Sequence, residues 1–581
     1  MSLILFIGLF VTTILGSCSD DEVTVSDDVD RLNVPWEEYD PSLVQILDSG
    51  RISLKEVCRR TIAHEMGKNA DMDTALVNYA SMLMDSVARY EEHVKDSLRA
   101  VSGSNDFLDI FLGLYWTEFN YWSVSAKGEP IKLSALFVMP YTDPLQTSKF
   151  TNYYIGTHVT ITSNDECPSN FSKDRICSDV GMLAIFAHVW LNHGYVVIPD
   201  YEGYGITKDR PHPYLNREVT AKQVIDGAKA GMNIIEDREK QDASLGFRDN
   251  WKSCVIGYSQ GGATAAATYR YALEHPDECS SLRVAGAVCG DGPYDPVATL
   301  NEYISQNRMY MPVAVALMMK GMCDTDQDMI DEGCTVEDFC TPGFVNTGIF
   351  DAITSKKYTT TDINNILLEY SYTHDDFTMM RRMRNSDRVM FEEMPYKKVN
   401  NDRYIDGVGM VWMSGPVDSW CEMDQALNQT CLEFLKNGTI TDSKMRRKLR
   451  ALLHCMRRNQ LYCSDNGDWI PPQGSKFTFF HSTTDEVVPY ANMKTVRDIW
   501  NYAHAHYYSF HFEPSVLETI LGKLKGDSSP VNKNWGYHVL CGTVFYLGKS
   551  RSLADDITDN KWMPGSEDDT GLSSLTFLAS M

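Results

Sequence analysis

The chain reads as an α/β protein, a mostly parallel twisted sheet with helices on both faces and one large helical insertion. Three observations predict this. Strand-like and helix-like stretches alternate from Phe150 to Cys289, and such alternation brings each strand back parallel to the last through a crossover helix. The alternation stops between Asp295 and Gly474, where the chain is Met-rich, helix-like and cysteine-bearing. It resumes at Lys476-Phe-Thr-Phe-Phe-His481, an apolar strand.

In chain order, the first element is an apolar run from Leu3 to Leu15. It is too short to span a bilayer and suits the h-region of a signal peptide, so residues 1–17 are expected to be a leader. Leu15-Gly16-Ser17-Cys18 resembles a bacterial lipobox, which implies lipidation at Cys18 and an outer-membrane or cell-surface lipoprotein tethered by the acidic stretch 18–40. The alternative is a plain cleaved signal and a secreted or periplasmic protein; both readings export the chain.

Residues 41–110 carry helix-like patterning, as in Asp73-Thr-Ala-Leu-Val-Asn-Tyr-Ala-Ser-Met-Leu-Met84, and are expected to form a helical extension. The sheet is assigned to residues 111–296 and 475–581, and a helical cap to residues 297–474. Tyr115-Trp-Thr-Glu-Phe-Asn-Tyr-Trp122 and Ile131 to Pro140 flank Lys127-Gly128-Glu129-Pro130, good turn chemistry for a hairpin at a sheet edge. Strands follow at Phe150–Thr160, Tyr195–Asp200, Trp251–Tyr258 and Leu282–Cys289, with helices at Val180–Asn192, Val219–Asp237 and Gly262–His275 between them. After Lys476–His481 come a helix (Ala491–Ala503), a strand (Tyr507–Phe512) and a last helix from His538.

Composition limits the partners. Lys and Arg number 53 against 79 Asp and Glu, leaving a formal charge of -26, a field that repels nucleic-acid backbones and anionic membrane surfaces. Membrane contact is expected only through a lipid at Cys18. Fifteen cysteines suit an exported protein. Setting Cys18 aside leaves an even number, and Cys167/Cys177, Cys421/Cys431 and Cys455/Cys463 are close enough in sequence to close small disulfide loops. Cys254 and Cys289 sit in apolar strand-like runs and read as buried free thiols. No CxxC or HExxH occurs, so a dedicated zinc site has no sequence support; the chemistry read below implies neither metal nor organic cofactor.

The chemistry centres on Gly257-Tyr258-Ser259-Gln260-Gly261, followed by Gly262. The G-x-S-x-G pattern alone arises by accident roughly 0.1 to 0.2 times in a chain this long at average composition. Its placement between a strand and a helix start is what carries weight. That setting is a nucleophile elbow, in which small flanking residues let strand and helix approach while the serine hydroxyl is left exposed.

On this elbow, and on Asn192-His-Gly-Tyr-Val-Val-Ile-Pro-Asp-Tyr-Glu-Gly-Tyr-Gly205 before it, the sequence resembles the α/β-hydrolase family, in its secretory lipase and esterase branch. The likeness runs from Tyr115 to Pro296 and again from Lys476 to Gly548. It implies Ser259 as nucleophile and a chain order of Ser, acid, His. His481-Ser-Thr-Thr-Asp485-Glu-Val-Val-Pro489 resembles the family's acid loop, making Asp485 the acid, with Glu486 and Asp291 as rivals. His504, His506, His511 and His538 all lie beyond it. His538, in a Gly-marked loop opening the final helix, stands where the family carries its base. The resemblance also implies an oxyanion hole from the backbone N–H groups of Gln260 and, in the loop Tyr154-Ile-Gly-Thr-His158, Thr157, with His158 as a substrate contact or a shaper of the loop.

The function expected is therefore an exported serine hydrolase, lipase- or esterase-like, acting on small-molecule or lipid esters through an acyl-enzyme. Met309, Met311, Met318, Met319 and Met322 are expected either to line an adaptable acyl pocket or to fill plain helix core. Two rivals stand beside it: a serine peptidase of the prolyl-oligopeptidase type, and a catalytically silent surface-binding lipoprotein of the same fold.

Overall fold

A computed structural model of the chain describes residues 43–53, 56–57, 59–61, 63, 113–140, 149–186, 194–360, 362–364, 421–512 and 537–569. The leader, Cys18, the acidic stretch and the segment Asp73–Met84 lie outside the described residues.

Ten strands make one sheet. In chain order these are β1 (Gln45–Ser53), β2 (Gly113–Val124), β3 (Pro130–Pro140), β4 (Phe150–Thr157), β5 (Gly194–Pro199), β6 (Phe247–Tyr258) and β7 (Val284–Gly290). After the small hairpin β8 (Cys463–Ser464) and β9 (Gly467–Asp468) come β10 (Phe477–Ser482), β11 (Tyr508–Phe512) and β12 (Gly565–Asp569). The sheet order is β1-β2-β3-β5-β4-β6-β7-β10-β11-β12, antiparallel as far as β5 and parallel from there on. From β4 the chain moves to β5 on one side and then crosses back to β6 on the other. Crevices at the carboxyl ends of strands beside such a switch are where ligands bind in open α/β sheets.

Side chains alternate between the two faces as the pleat requires. On β6, Cys254, Ile256 and Tyr258 enter one core, with the helices Tyr537–Val544 and Ser550–Thr558 over it. Trp251 and Val255 enter the other, under helices Arg217–Gln241, Gln260–Glu274 and Tyr490–Tyr502. β5 is buried along its whole length, which accounts for its unbroken apolar sequence. A third cluster belongs to the insertion between β7 and β10, including helices Pro296–Gln306, Pro312–Thr325, Ile349–Ser355, Gln429–Asn437 and Ser443–Arg458.

The structure corrects the sequence reading in four places. Within the expected helical extension, Gln45–Ser53 is an antiparallel strand on β2. Its polar residues, Asp48, Ser49 and Arg51, face solvent or the rim, so backbone pairing rather than apolar alternation makes it a strand. Consequently the β2–β3 hairpin is not at the edge but one strand in. A further strand, β12, follows the last helix; its sequence, Gly-Ser-Glu-Asp-Asp, is polar and pairs only as an outer strand on β11.

The fourth correction concerns sulfur. None of the thirteen described cysteines is joined in a disulfide, so none of the three expected pairs forms. The thiols face other partners: Cys177 donates to Asp179, Cys167 accepts from Gly205 N, Cys421 donates toward Gln425 and Cys455 accepts from Asn459. Cys254 and Cys289 are fully buried thiols.

Candidate active site

Ser259 joins β6 to helix Gln260–Glu274 with φ 57 and ψ -126, a conformation that costs a non-glycine residue about 1–3 kcal/mol. Its neighbours hold it there. The Ser259 N–H donates to Gly290 O (2.9 Å), and its carbonyl accepts from Ala263 N (3.1 Å). The flanking glycines answer to crowding: a Cβ on Gly257 would stand 2.0 Å from Thr157 Oγ1, and one on Gly261 2.1 Å from Thr157 O. No side chain fits at either place.

His538, in the first turn of helix Tyr537–Val544, places Nε2 2.9 Å from Ser259 Oγ and Nδ1 2.6 Å from Asp485 Oδ2. Asp485 follows β10. Its other oxygen accepts the N–H groups of Val487 (2.8 Å) and Val488 (2.7 Å), which fix the carboxylate with both oxygens occupied. Serine, imidazole and carboxylate are 6%, 3% and 6% exposed, so the hydrogen-bonded row is closed to bulk water. Burial lowers the pKa of His538 against the opposing pull of Asp291 and Glu486, and burial raises that of Asp485.

The rival acids stand elsewhere in the same cluster. Asp291 lies 2.7 Å from Tyr258 Oη, accepts from Ser482 N (2.8 Å) and makes no bond to the His538 ring. Glu486 accepts the backbone N–H of His538 at 3.3 Å, and burial next to Asp485 pushes its pKa up to about 8. Of the other histidines, His504 and His506 are exposed, and His511 lies on β11 against Ser509 and Tyr490.

The loop after β4 lies against the elbow. Thr157 Oγ1 donates to Gly261 O (2.7 Å) or Ile256 O (3.1 Å). His158 is fully buried, stacked on Tyr201 at 4.0 Å, with its two ring nitrogens 2.7 Å from Val159 O and 3.1 Å from Asp200 O. Both ring nitrogens of His158 therefore face backbone carbonyls of neighbouring segments. Gln260 opens the helix, and its side chain donates from Nε2 to His212 Nε2 (2.9 Å), while His212 Nδ1 donates to Glu202 O (2.7 Å). A helix amino terminus carries unpaired N–H groups and partial positive charge beside the serine.

Several of these parts carry no sequence signal. Tyr258 Oη lies 2.7 Å from the Asp291 carboxyl and 2.5 Å from the His538 carbonyl, the latter a link between residues 280 positions apart. His212 on Gln260, and the Val487 and Val488 amides on Asp485, are likewise products of the fold.

A narrow slot of about 40 Å³ opens from Ser259 into the insertion, lined by Tyr214, Leu300, Met311, Val315, Met318 and Val488 among others, none of them charged. Met311 and Met318 thus face the slot, whereas Met309, Met319 and Met322 are core. Among the described residues no group of three or more His, Cys, Asp or Glu is placed to hold a metal ion, and no helix is long and apolar enough to cross a membrane.

No family model and no curated protein matches the chain. Among solved structures, Candida antarctica lipase A in its closed state is similar over 77% of this chain and 86% of its own, at 12% identity and a TM-score of 0.41. The rice cell wall degrading esterase LipA from Xanthomonas oryzae is similar over 81% of this chain and 96% of its own, at 15% identity and a TM-score of 0.50. The likeness to the esterase is one of fold, and it agrees with the strand order: the chain has the α/β-hydrolase fold.

Proposed function

We propose that the chain is an exported serine hydrolase of carboxylic esters. The observation that carries the reading is the single imidazole of His538, 2.9 Å from Ser259 Oγ on one side and 2.6 Å from Asp485 on the other. His538 Nδ1–H donates to Asp485, which leaves the Nε2 lone pair to take the serine proton. Ser259 Oγ forms a bond to the ester carbonyl carbon, and the carbonyl oxygen becomes an oxyanion held by backbone N–H groups of Gln260 and Thr157. His538 then returns the proton to the departing alkoxide as the ester C–O bond breaks. Water repeats the sequence on the acyl-enzyme and frees Ser259.

The uncharged slot beside Ser259 favours an ester with an apolar acyl group. A peptidase that anchors a peptide amine needs a carboxylate beside the serine, and among the described residues the slot is lined by none. The apolar leader and the Cys18 lipobox support export and lipid anchoring. Ser259→Ala tests the assignment: loss of nitrophenyl-ester hydrolysis with an unchanged thermal transition is expected, and retained turnover would refute it. Labelling by a fluorophosphonate separates an enzyme from a silent binder of the same fold.

A further inference from the structure

A second cavity, of about 360 Å³, lies where the insertion meets the loop after β5, and it shares no lining residue with the slot at Ser259. Its volume falls within the range of small-molecule sites, about 300–1,000 Å³. Lys356 lines it from the carboxyl end of helix Ile349–Ser355. The lysine is 6% exposed, and among the described residues its ammonium makes no hydrogen bond and no ion pair; it stands over the face of Tyr204, 4.3 Å away, with Cys167 and Lys320 as further neighbours. A buried cation without an anionic partner is costly, and an aromatic face offsets only part of that cost. The position is costly for the backbone as well: Lys356 has φ 56, a left-handed helix end that glycine or asparagine fills more readily.

The other charges of the lining are accounted for. Arg210 pairs with the buried Glu202 (3.2 Å), and Lys320 pairs with Asp324 (2.8 Å). Asp209 is exposed at the rim. With the Arg210–Glu202 and Lys320–Asp324 pairs cancelling, the cation of the lining that lacks a carboxylate partner is Lys356, a single charge that matches one carboxylate and not a dianion. The wall also touches the elbow, because His212 lines the cavity and accepts from Gln260.

We propose that this cavity is a second ligand site, taking a small organic monocarboxylate whose carboxylate oxygens pair with the Lys356 ammonium. Burial, opposed by the Cys167 thiol and helped by Lys320, lowers the pKa of the lysine to about 8, so it is charged at neutral pH and gains a partner on binding. The site is independent of the hydrolase reading, since binding needs no turnover.

Isothermal titration of the full chain with gluconate, hexanoate and inorganic phosphate at low salt tests it. Saturable binding of at least one carboxylate is expected, weakened tenfold or more in Lys356→Met, kept in Lys356→Arg and untouched in Lys357→Met, whose position is exposed. No carboxylate binding, binding indifferent to Lys356→Met, or phosphate bound more tightly than both carboxylates would overturn the proposal. Should Lys356→Met lose its thermal transition, wild-type crystals soaked in 4-bromobenzoate decide: bromine density in the cavity with the carboxylate on Lys356 supports the site, and an empty cavity refutes it.

Discussion

Tyr258 Oη lies 2.7 Å from Asp291 Oδ2 and 2.5 Å from the His538 carbonyl oxygen. A tyrosine hydroxyl has one proton, and both atoms facing it are acceptors when Asp291 is ionised. Across the carboxyl, the His481 Nδ1 atom stands 3.3 Å from Asp291 Oδ1 while Nε2 of the same ring lies 3.2 Å from Val488 O, so a neutral ring turns a lone pair toward Asp291. A proton on Asp291 Oδ2, donated to Tyr258 Oη, releases the hydroxyl's own proton for the His538 carbonyl. Burial beside Asp485 acts in the same direction, raising the pKa of Asp291 well above that of a free carboxyl. Asp291→Asn, which keeps a donor and an acceptor, is therefore expected to hold ester kcat/KM within about threefold of wild type, whereas Tyr258→Phe, which frees the His538 carbonyl, is expected to cost about tenfold. Steady-state kinetics on both variants checks this; a collapse in Asp291→Asn would show that Asp291 works as an anion.

Asp485 should behave in the opposite way. Its carboxylate fixes the tautomer of His538 through the 2.6 Å bond to Nδ1. Asp485→Asn preserves shape but offers an N–H or a neutral oxygen in place of the anion, and a loss of about 10⁴ in kcat is expected with little change in KM.

The pH profile follows from burial. His538 must be neutral to accept the serine proton, and desolvation holds its pKa below the ordinary imidazole value. The acid limb of kcat/KM for a neutral ester is therefore expected at a pH below about 6.5, the value of a free histidine. A limb above that value would mean that the neighbouring carboxylates outweigh desolvation.

Stability carries a separate titration. Glu118 on β2 is 6% exposed, and burial raises its pKa from 4.5 to about 7 although it accepts the Ser172 N–H (2.7 Å). For a group whose folded pKa is raised, the stability contribution is complete below the unfolded value and is lost as the pH climbs through the folded one. Glu118→Gln, whose amide oxygen still accepts from Ser172, is expected to add about 3 kcal/mol to the unfolding free energy near pH 8 and about nothing near pH 4.5. Urea denaturation at the two pH values measures the difference.

What the sequence displays and what it hides divide along physical lines. The parallel half of the sheet is legible because a strand buried on both faces, such as Gly194–Pro199, has to be apolar throughout. Ser259 is legible because its elbow leaves no room for side chains at Gly257 and Gly261. His538 and Asp485 came from the order of residues in a resembling family; their meeting is a property of the fold. β1 and β12 stayed hidden because outer strands are held by backbone pairing and need no apolar pattern. The thiols misled because spacing along the chain says nothing about which way an Sγ atom points. Tyr258 is the instructive case: it sits inside the elbow motif as an unspecified letter, yet it ties Asp291 to the backbone of His538.

Reaction of the full chain with a fluorophosphonate, followed by peptide mapping and mass measurement, addresses the central claim most directly. One phosphonyl group per chain, carried on Ser259 and abolished by His538→Ala, is expected. No adduct on Ser259, or modification that persists at the same rate without the imidazole, would contradict it.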